Sequence, residues 1–175
     1  VAAGARVIRP RLSEQFDFEG ELAVVIGRAG RHIAPAVALE HVLGYSCFMD
    51  GSIRDYQFEH SLCAGKNFPA TAGFGPWIAT TDEVPDPDQL EIVTRLAGAE
   101  VQRGYTKDMI FGTRALISYL SSITPLNAGD VIATGTPEGV GFARNPPIWL
   151  RHADVIEVDI APIGCLRVHV TDEAE

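Results

Sequence analysis

Residues 16–27 read FDFEGELAVVIG, an apolar run opened by two glutamates one residue apart, Glu19 and Glu21. The segment from Glu19 to Ile26 predicts a buried strand, and on a strand residues i and i+2 point to the same face. Two like charges side by side on a half-buried surface repel each other and lose hydration. The pair is therefore stable only if protonated, matched by cations or bridged by one. A hard divalent ion would answer both costs at once, while a solvated sheet edge is the plainer alternative for the pair taken alone.

Outward from this strand the chain alternates short apolar runs with Gly and Pro turns. A GRAG turn is followed by PAVALEHVLG, which predicts one short helix from Pro35 to Gly44. YSCFMD reads as a strand ending at Asp50, and the polar GSIRDYQFEHSLCAGKNFPATAGFGP after it as a long irregular loop, of a length that is often functional. PWIATT is a further strand, and LEIVTRL and AEVQRGY flank an Ala-Gly turn as a hairpin. Ile110, Leu116, Ile117 and Leu120 have helical spacing, with Thr113 as the expected N-cap. DVIATG, ADVIEVDIAP and IGCLRVHV supply the last strands. Strands outnumber helices and lack regular crossover helices, which favours a closed or rolled, mostly β, α+β architecture over a doubly wound sheet.

The 175 residues suit one domain, 1–175, with a real core. A formal net charge of -9 without a basic cluster argues against nucleic acid and anionic membrane partners. Cys47, Cys63 and Cys165 are odd in number and lack CxxC spacing, so a disulfide framework or zinc site is not expected and the thiols read as reduced. With no apolar run of 18 residues and no signal-like start, the expected setting is cytoplasmic.

A third carboxylate, Asp50, ends its strand at the mouth of the long loop. With Glu19 and Glu21 it would make an oxygen-rich site suited to Mg²⁺ or Mn²⁺ rather than zinc; as a turn residue it would need no such role. Behind it come Arg54, Gln57 and Lys66, which beside a metal could hold a substrate carboxylate and steady an enolate. TGTPEGVG, residues 134–141, packs free backbone amides into a tight loop able to receive an anionic oxygen, yet lacks the GxxxxGK[ST] order of a phosphate loop.

In order and spacing, FEGELAVVIGR, GYSCFMDGSIRDYQ, GKNFPATAGFGPW, TKDMIF, LNAGDVIATGTPEGVGF and DVIEVDIAPIGCL resemble the fumarylacetoacetate hydrolase family in its small bacterial form, from about Val7 to Val170. The resemblance implies a mixed β-sandwich roll, a bound Mg²⁺ (or Mn²⁺), a homodimer and a small anionic 2-oxo acid as substrate. It makes Glu19, Glu21 and Asp50 metal ligands, sets Arg54 and Gln57 toward the substrate and Lys66 near metal and substrate, and lets Thr136 meet the substrate carboxylate. Gly51 and Ile53 depart from the DxSxRDxQ-like segment without touching these positions.

The family's reactions share a metal-stabilised enolate, from which a carbon–carbon bond is hydrolysed, a carboxylate lost or a double bond shifted. The resemblance places the base of the hydrolytic members on a His-Glu pair in a lid before the ExE strand. This sequence has no histidine before His32, and only His60, in the long loop, offers a substitute. A metal-dependent hydrolase or lyase of acylpyruvate, fumarylacetoacetate-like or oxaloacetate substrates is thus expected. A hydroxymuconate-type isomerase or hydratase, and an inactive metal-binding subunit, are the alternatives. With the lid unseen, decarboxylation or tautomerisation is expected to exceed hydrolysis. Phe68, Phe74, Trp77 and Phe142 could line an apolar end of the pocket or serve only in packing.

Overall fold

The computed structural model describes residues 1–174. Its strands are β1 (Arg6–Arg9), β2 (Phe16–Asp17), β3 (Gly20–Ile26), β4 (Val42–Met49), β5 (Ser52–Ile53), β6 (Gly73–Thr80), β7 (Glu91–Leu96), β8 (Ala99–Tyr105), β9 (Val131–Ala133), β10 (Val155–Ile160) and β11 (Gly164–Asp172). The α-helices are α1 (Arg54–Glu59), α2 (Leu62–Lys66) and α3 (Thr113–Ile123), with short 3₁₀ turns between elements. A five-stranded sheet runs β1-β11-β10-β7-β8, a four-stranded sheet β6-β4-β3-β9, and β2 pairs with β5. This is the mostly β, mixed-sheet roll that the alternation of strands and turns predicts. None of its helices, among the described residues, is long and apolar enough to cross a membrane.

The core lies between the two larger sheets. Leu22, Val24 and Met49 from one meet Ile156, Val158 and Val168 from the other in a single buried cluster. All seven residues of β3 are buried, as befits an inner strand covered on both faces. At Gly20 the sheets approach so closely that a Cβ would stand 2.0 Å from the Thr94 hydroxyl, so only glycine fits there.

Four local expectations change. The predicted helix at Pro35 is a 3₁₀ segment, Pro35–His41, and Val42 is already extended. There Val42 pairs with Ile26, so the β3–β4 ladder overrides local helical preference. Glu19 falls one residue before β3 instead of within it. The long loop is not structureless: α1 and α2 fill much of it, the second capped by the Ser61 hydroxyl accepting from the Ala64 amide at 3.0 Å. In α3, Gly112 is the cap and Thr113 the first helical residue. The predicted hairpin forms as β7 and β8 around Ala97 and Gly98, both with positive φ.

Candidate metal centre

Strand register brings three carboxylates to one point. β3 and β4 run antiparallel with Gly20 opposite Met49, and the Asp50 amide donates to the Glu19 carbonyl at 2.9 Å. The ladder thus continues one step and sets Glu19 beside Asp50, while Glu21 follows two residues along from Glu19. One carboxylate oxygen from each of Glu19, Glu21 and Asp50 lies within 4.8 Å of the others. Glu19, Glu21 and Asp50 would together offer a divalent ion three carboxylate oxygens.

Two cations serve this cluster. Lys66, at the end of α2, donates from Nζ to Glu19 Oε2 at 2.8 Å and to Asp50 Oδ2 at 2.7 Å. It reaches them because Gly65 lets α2 lie against α1: a Cβ there would stand 2.6 Å from the Gln57 Cβ. Arg54, whose side chain is 2% exposed, donates from Nε to Asp17 Oδ2 at 2.8 Å and from Nη1 to Gln57 Oε1 at 2.8 Å. Its Nη2 lies 2.7 Å from Glu19 Oε1, an ion pair set out of line with the N–H bonds. The guanidinium carbon rests 4.6 Å from the centre of the Phe142 ring.

Asp17, Glu19, Glu21 and Asp50 carry four potential negative charges against the two positive charges of Arg54 and Lys66. Two negative charges are left in excess, the charge that a divalent ion neutralises. Without such an ion, Glu21 bears the imbalance. Its burial, joined by the charges of Asp50 and Glu19, pushes its carboxyl up to about 8 against the Gly135 amide, which donates to Glu21 Oε2 at 2.9 Å. Burial also raises Asp50, outweighing Lys66. Burial works the same way on Glu19, but Lys66 and Arg54 overcome it and hold that carboxyl low. The all-oxygen donors and the charge excess fit a hard ion such as Mg²⁺ or Mn²⁺.

The 134–138 loop closes the other side. Thr134 donates from Oγ1 to the Leu22 carbonyl at 2.9 Å, and Thr136 from Oγ1 to the Gly20 carbonyl at 3.0 Å. Gln102 donates from Nε2 to Thr136 Oγ1 at 2.9 Å and accepts at Oε1 from the Gly20 amide at 3.0 Å. These bonds sew the loop to β3 so that the Gly135 amide faces Glu21. Gly135 holds φ +97°, a conformation that favours glycine. Thr134, Gly135 and Thr136 also border a cavity of about 570 Å³, whose walls include Met109, Ile110 and Phe111.

Of the expected site residues, Lys66 bridges Glu19 and Asp50 directly, and Glu21 lies within 4.8 Å of those carboxylates. Arg54 and Gln57 bind each other, and Arg54 lies buried behind Glu19 instead of standing open to a ligand. The Thr136 hydroxyl is engaged with Gly20 and Gln102. Phe68, Phe74, Trp77 and Phe142 do not line the 570 Å³ cavity. Phe68 packs edge-on to Tyr56 at 4.9 Å, and Phe142 meets Arg54 and Phe58. His60 is exposed at the end of α1 with its ring 5.2 Å from that of Tyr56. Asp17 and Gln102, both buried, escape a reading by motif. Asp17 does carry a signal, a charge between Phe16 and Phe18 in an apolar run; Gln102 carries none.

A protein-family model described as fumarylacetoacetate hydrolase C-terminal matches residues 1–171. The oxaloacetate tautomerase YisK of Bacillus subtilis (strain 168) is 43% identical over 156 residues, which are 89% of this chain and 52% of that one. The structure named fumarylacetoacetate hydrolase (EaFAH) from psychrophilic Exiguobacterium antarcticum has 42% identity and a TM-score of 0.95, covering 99% of this chain and 63% of its own. Fumarylpyruvate hydrolase from Pseudomonas aeruginosa, in complex with Mn²⁺ and pyruvate, has 31% identity and a TM-score of 0.88 over 99% of this chain and 74% of its own. The chain spans about half the length of the tautomerases it matches.

Proposed function

The chain belongs to the fumarylacetoacetate hydrolase family, and on that premise we propose that it is a divalent-metal-dependent enzyme acting on a 2-oxo acid or 1,3-dicarbonyl through an enolate. The observation that carries this reading is the convergence of Glu19, Glu21 and Asp50 with two negative charges in excess. When bound there, Mg²⁺ or Mn²⁺ would polarise the substrate carbonyl as a Lewis acid and stabilise the enolate charge. Lys66 keeps its ammonium beside the same carboxylates, where it can steady that charge or hand a proton to the substrate from Nζ. Arg54 fixes Glu19 and takes up Gln57 Oε1, which leaves the Gln57 Nε2 group to donate to a substrate oxygen. The backbone of the loop around Thr136 would receive the substrate carboxylate, since the Thr136 hydroxyl already donates to the Gly20 carbonyl.

Proton movement in the enolate is the step these residues serve best, which favours tautomerisation or decarboxylation of an oxaloacetate-like acid. The names of the tautomerases at 40–43% identity support this. Hydrolysis of an acylpyruvate is the second reading, favoured by the 570 Å³ cavity, which is far roomier than a four-carbon acid requires. A panel of oxaloacetate, acylpyruvates and a hydroxymuconate-type dienoate, assayed with Mg²⁺ and with Mn²⁺, separates these readings. Brisk acylpyruvate cleavage without oxaloacetate turnover would overturn the first. Metal binding with no turnover of any of them would leave an inactive metal-binding subunit.

Phe111→Ala is expected to raise KM for acylpyruvates with long or aromatic tails by roughly tenfold, the value of one to two kcal/mol of lost apolar contact. Oxaloacetate should be nearly unaffected. Equal effects on both substrates would show that the tail does not enter this cavity.

Metal affinity should also follow pH. Only the ionised Glu21 can ligate, and its carboxyl titrates at about 8. Calorimetric titration with Mg²⁺ should show affinity rising about tenfold per pH unit up to about pH 8, then levelling, because one proton leaves for each ion bound below that point. Affinity that stays flat between pH 6 and pH 8 would show that metal binding displaces no proton from Glu21 in that range.

A further inference from the structure

Asp17 is wholly buried and makes four polar contacts, more than packing between Phe16 and Phe18 requires. Its Oδ2 accepts from Arg54 Nε at 2.8 Å and from the Phe142 amide at 3.1 Å, and its Oδ1 accepts from the Gly141 amide at 2.7 Å and the Phe18 amide at 2.8 Å. It thus ties three segments together: the strand that leads into Glu19, the helix that carries Arg54 and Gln57, and the loop that places Phe142 on the guanidinium. Gly141 is part of the same joint, since a Cβ there would stand 2.5 Å from Asp17 Oδ1.

We propose that Asp17 is a positioning residue for the metal centre, acting through Arg54 on Glu19; this rests on the metal reading above. The three nitrogens of Arg54 face three different partners, with Nε on Asp17, Nη1 on Gln57 and Nη2 against Glu19. While Nη2 pairs with Glu19 at 2.7 Å, the other edge of the guanidinium is held by Asp17 on Nε and its face is covered by Phe142. Losing the Asp17 charge would let the guanidinium turn toward Glu19 and draw its carboxylate away from Glu21 and Asp50. Partners one step behind metal ligands typically change affinity by roughly 10- to 100-fold.

The test is Asp17→Asn, with Mn²⁺ binding followed by electron paramagnetic resonance and calorimetry, beside Ile33→Ala, a core variant beyond the far end of β3, next to Gly30 and Ser121. At a temperature where all are folded, Asp17→Asn should bind Mn²⁺ roughly 10- to 100-fold more weakly than the native chain. Ile33→Ala should lower the melting temperature with unchanged affinity. Native-like Mn²⁺ affinity in Asp17→Asn overturns the inference alone. Absence of Mn²⁺ binding by the native chain overturns the metal reading and this inference with it. If Asp17→Asn does not fold, Arg54→Lys decides, because it keeps the cation but cannot span Asp17 and Glu19. Undiminished affinity in that variant would equally overturn the proposal.

Discussion

Glu21→Gln is expected to lower metal-dependent turnover by roughly a thousandfold, the equivalent of about 4 kcal/mol of transition-state stabilisation, while the metal-free protein becomes no less stable and, as pH rises above about 4.5, more so. The substitution keeps the shape, and its side-chain carbonyl can still accept from the Gly135 amide. What it removes is the ionisation. Glu21 is buried, and its carboxyl titrates at about 8 in the folded chain against an ordinary value near 4.5. A carboxyl raised in this way contributes stability that is fully present below the ordinary value and lost as pH rises through the folded one. The native, metal-free chain should therefore weaken between about pH 4.5 and pH 8, and the glutamine variant should not share that loss. Metal works in the opposite direction: an ion at a hundredfold excess over its Kd adds about 2.7 kcal/mol to the native chain and little to the variant. Thermal unfolding at pH 7 and pH 9, with and without Mg²⁺, checks both halves. A variant that Mg²⁺ stabilises as strongly as the native chain would remove Glu21 from the site.

The sequence made the two glutamates conspicuous because strand alternation is a local property, readable within three residues. It did not show that Asp50 stands opposite Glu19, since that depends on the β3–β4 register across more than twenty residues of intervening chain. Family resemblance nevertheless singles out Asp50 and Lys66, where spacing alone leaves them open. The burial of Arg54 was hidden for a related reason. Its partner Asp17 lies 37 positions away, and a polar run such as RDYQFEH reads as a solvated loop until packing turns its arginine inward. The helix predicted at Pro35 failed where pairing of Val42 with Ile26 outweighed propensity. The hairpin at Ala97 and Gly98 succeeded because turn and flanking strands agree over fifteen residues.

Lys66→Met separates charge balance from chemistry at the same site. The substitution keeps an unbranched stem and removes the ammonium that bridges Glu19 and Asp50. Lys66 and both carboxylates are mostly buried, so the loss exposes uncompensated charge; taking one partner from a buried pair costs about 3 kcal/mol. The metal-free variant should melt earlier at pH 7 and recover as pH falls, because Glu19, no longer held low by Lys66, can then take a proton. Mg²⁺ should restore most of the lost stability, since a divalent ion supplies positive charge to the same oxygens. Turnover at saturating Mg²⁺ should stay down by roughly a hundredfold if the ammonium also serves the substrate, a typical contribution of one positioned acid or charge. Stability and activity both recovering with Mg²⁺ would make Lys66 a counter-ion only. Neither recovering would place its role in holding α2 against the sheet. Recovery of stability without activity is the outcome that the bridging geometry of Nζ predicts.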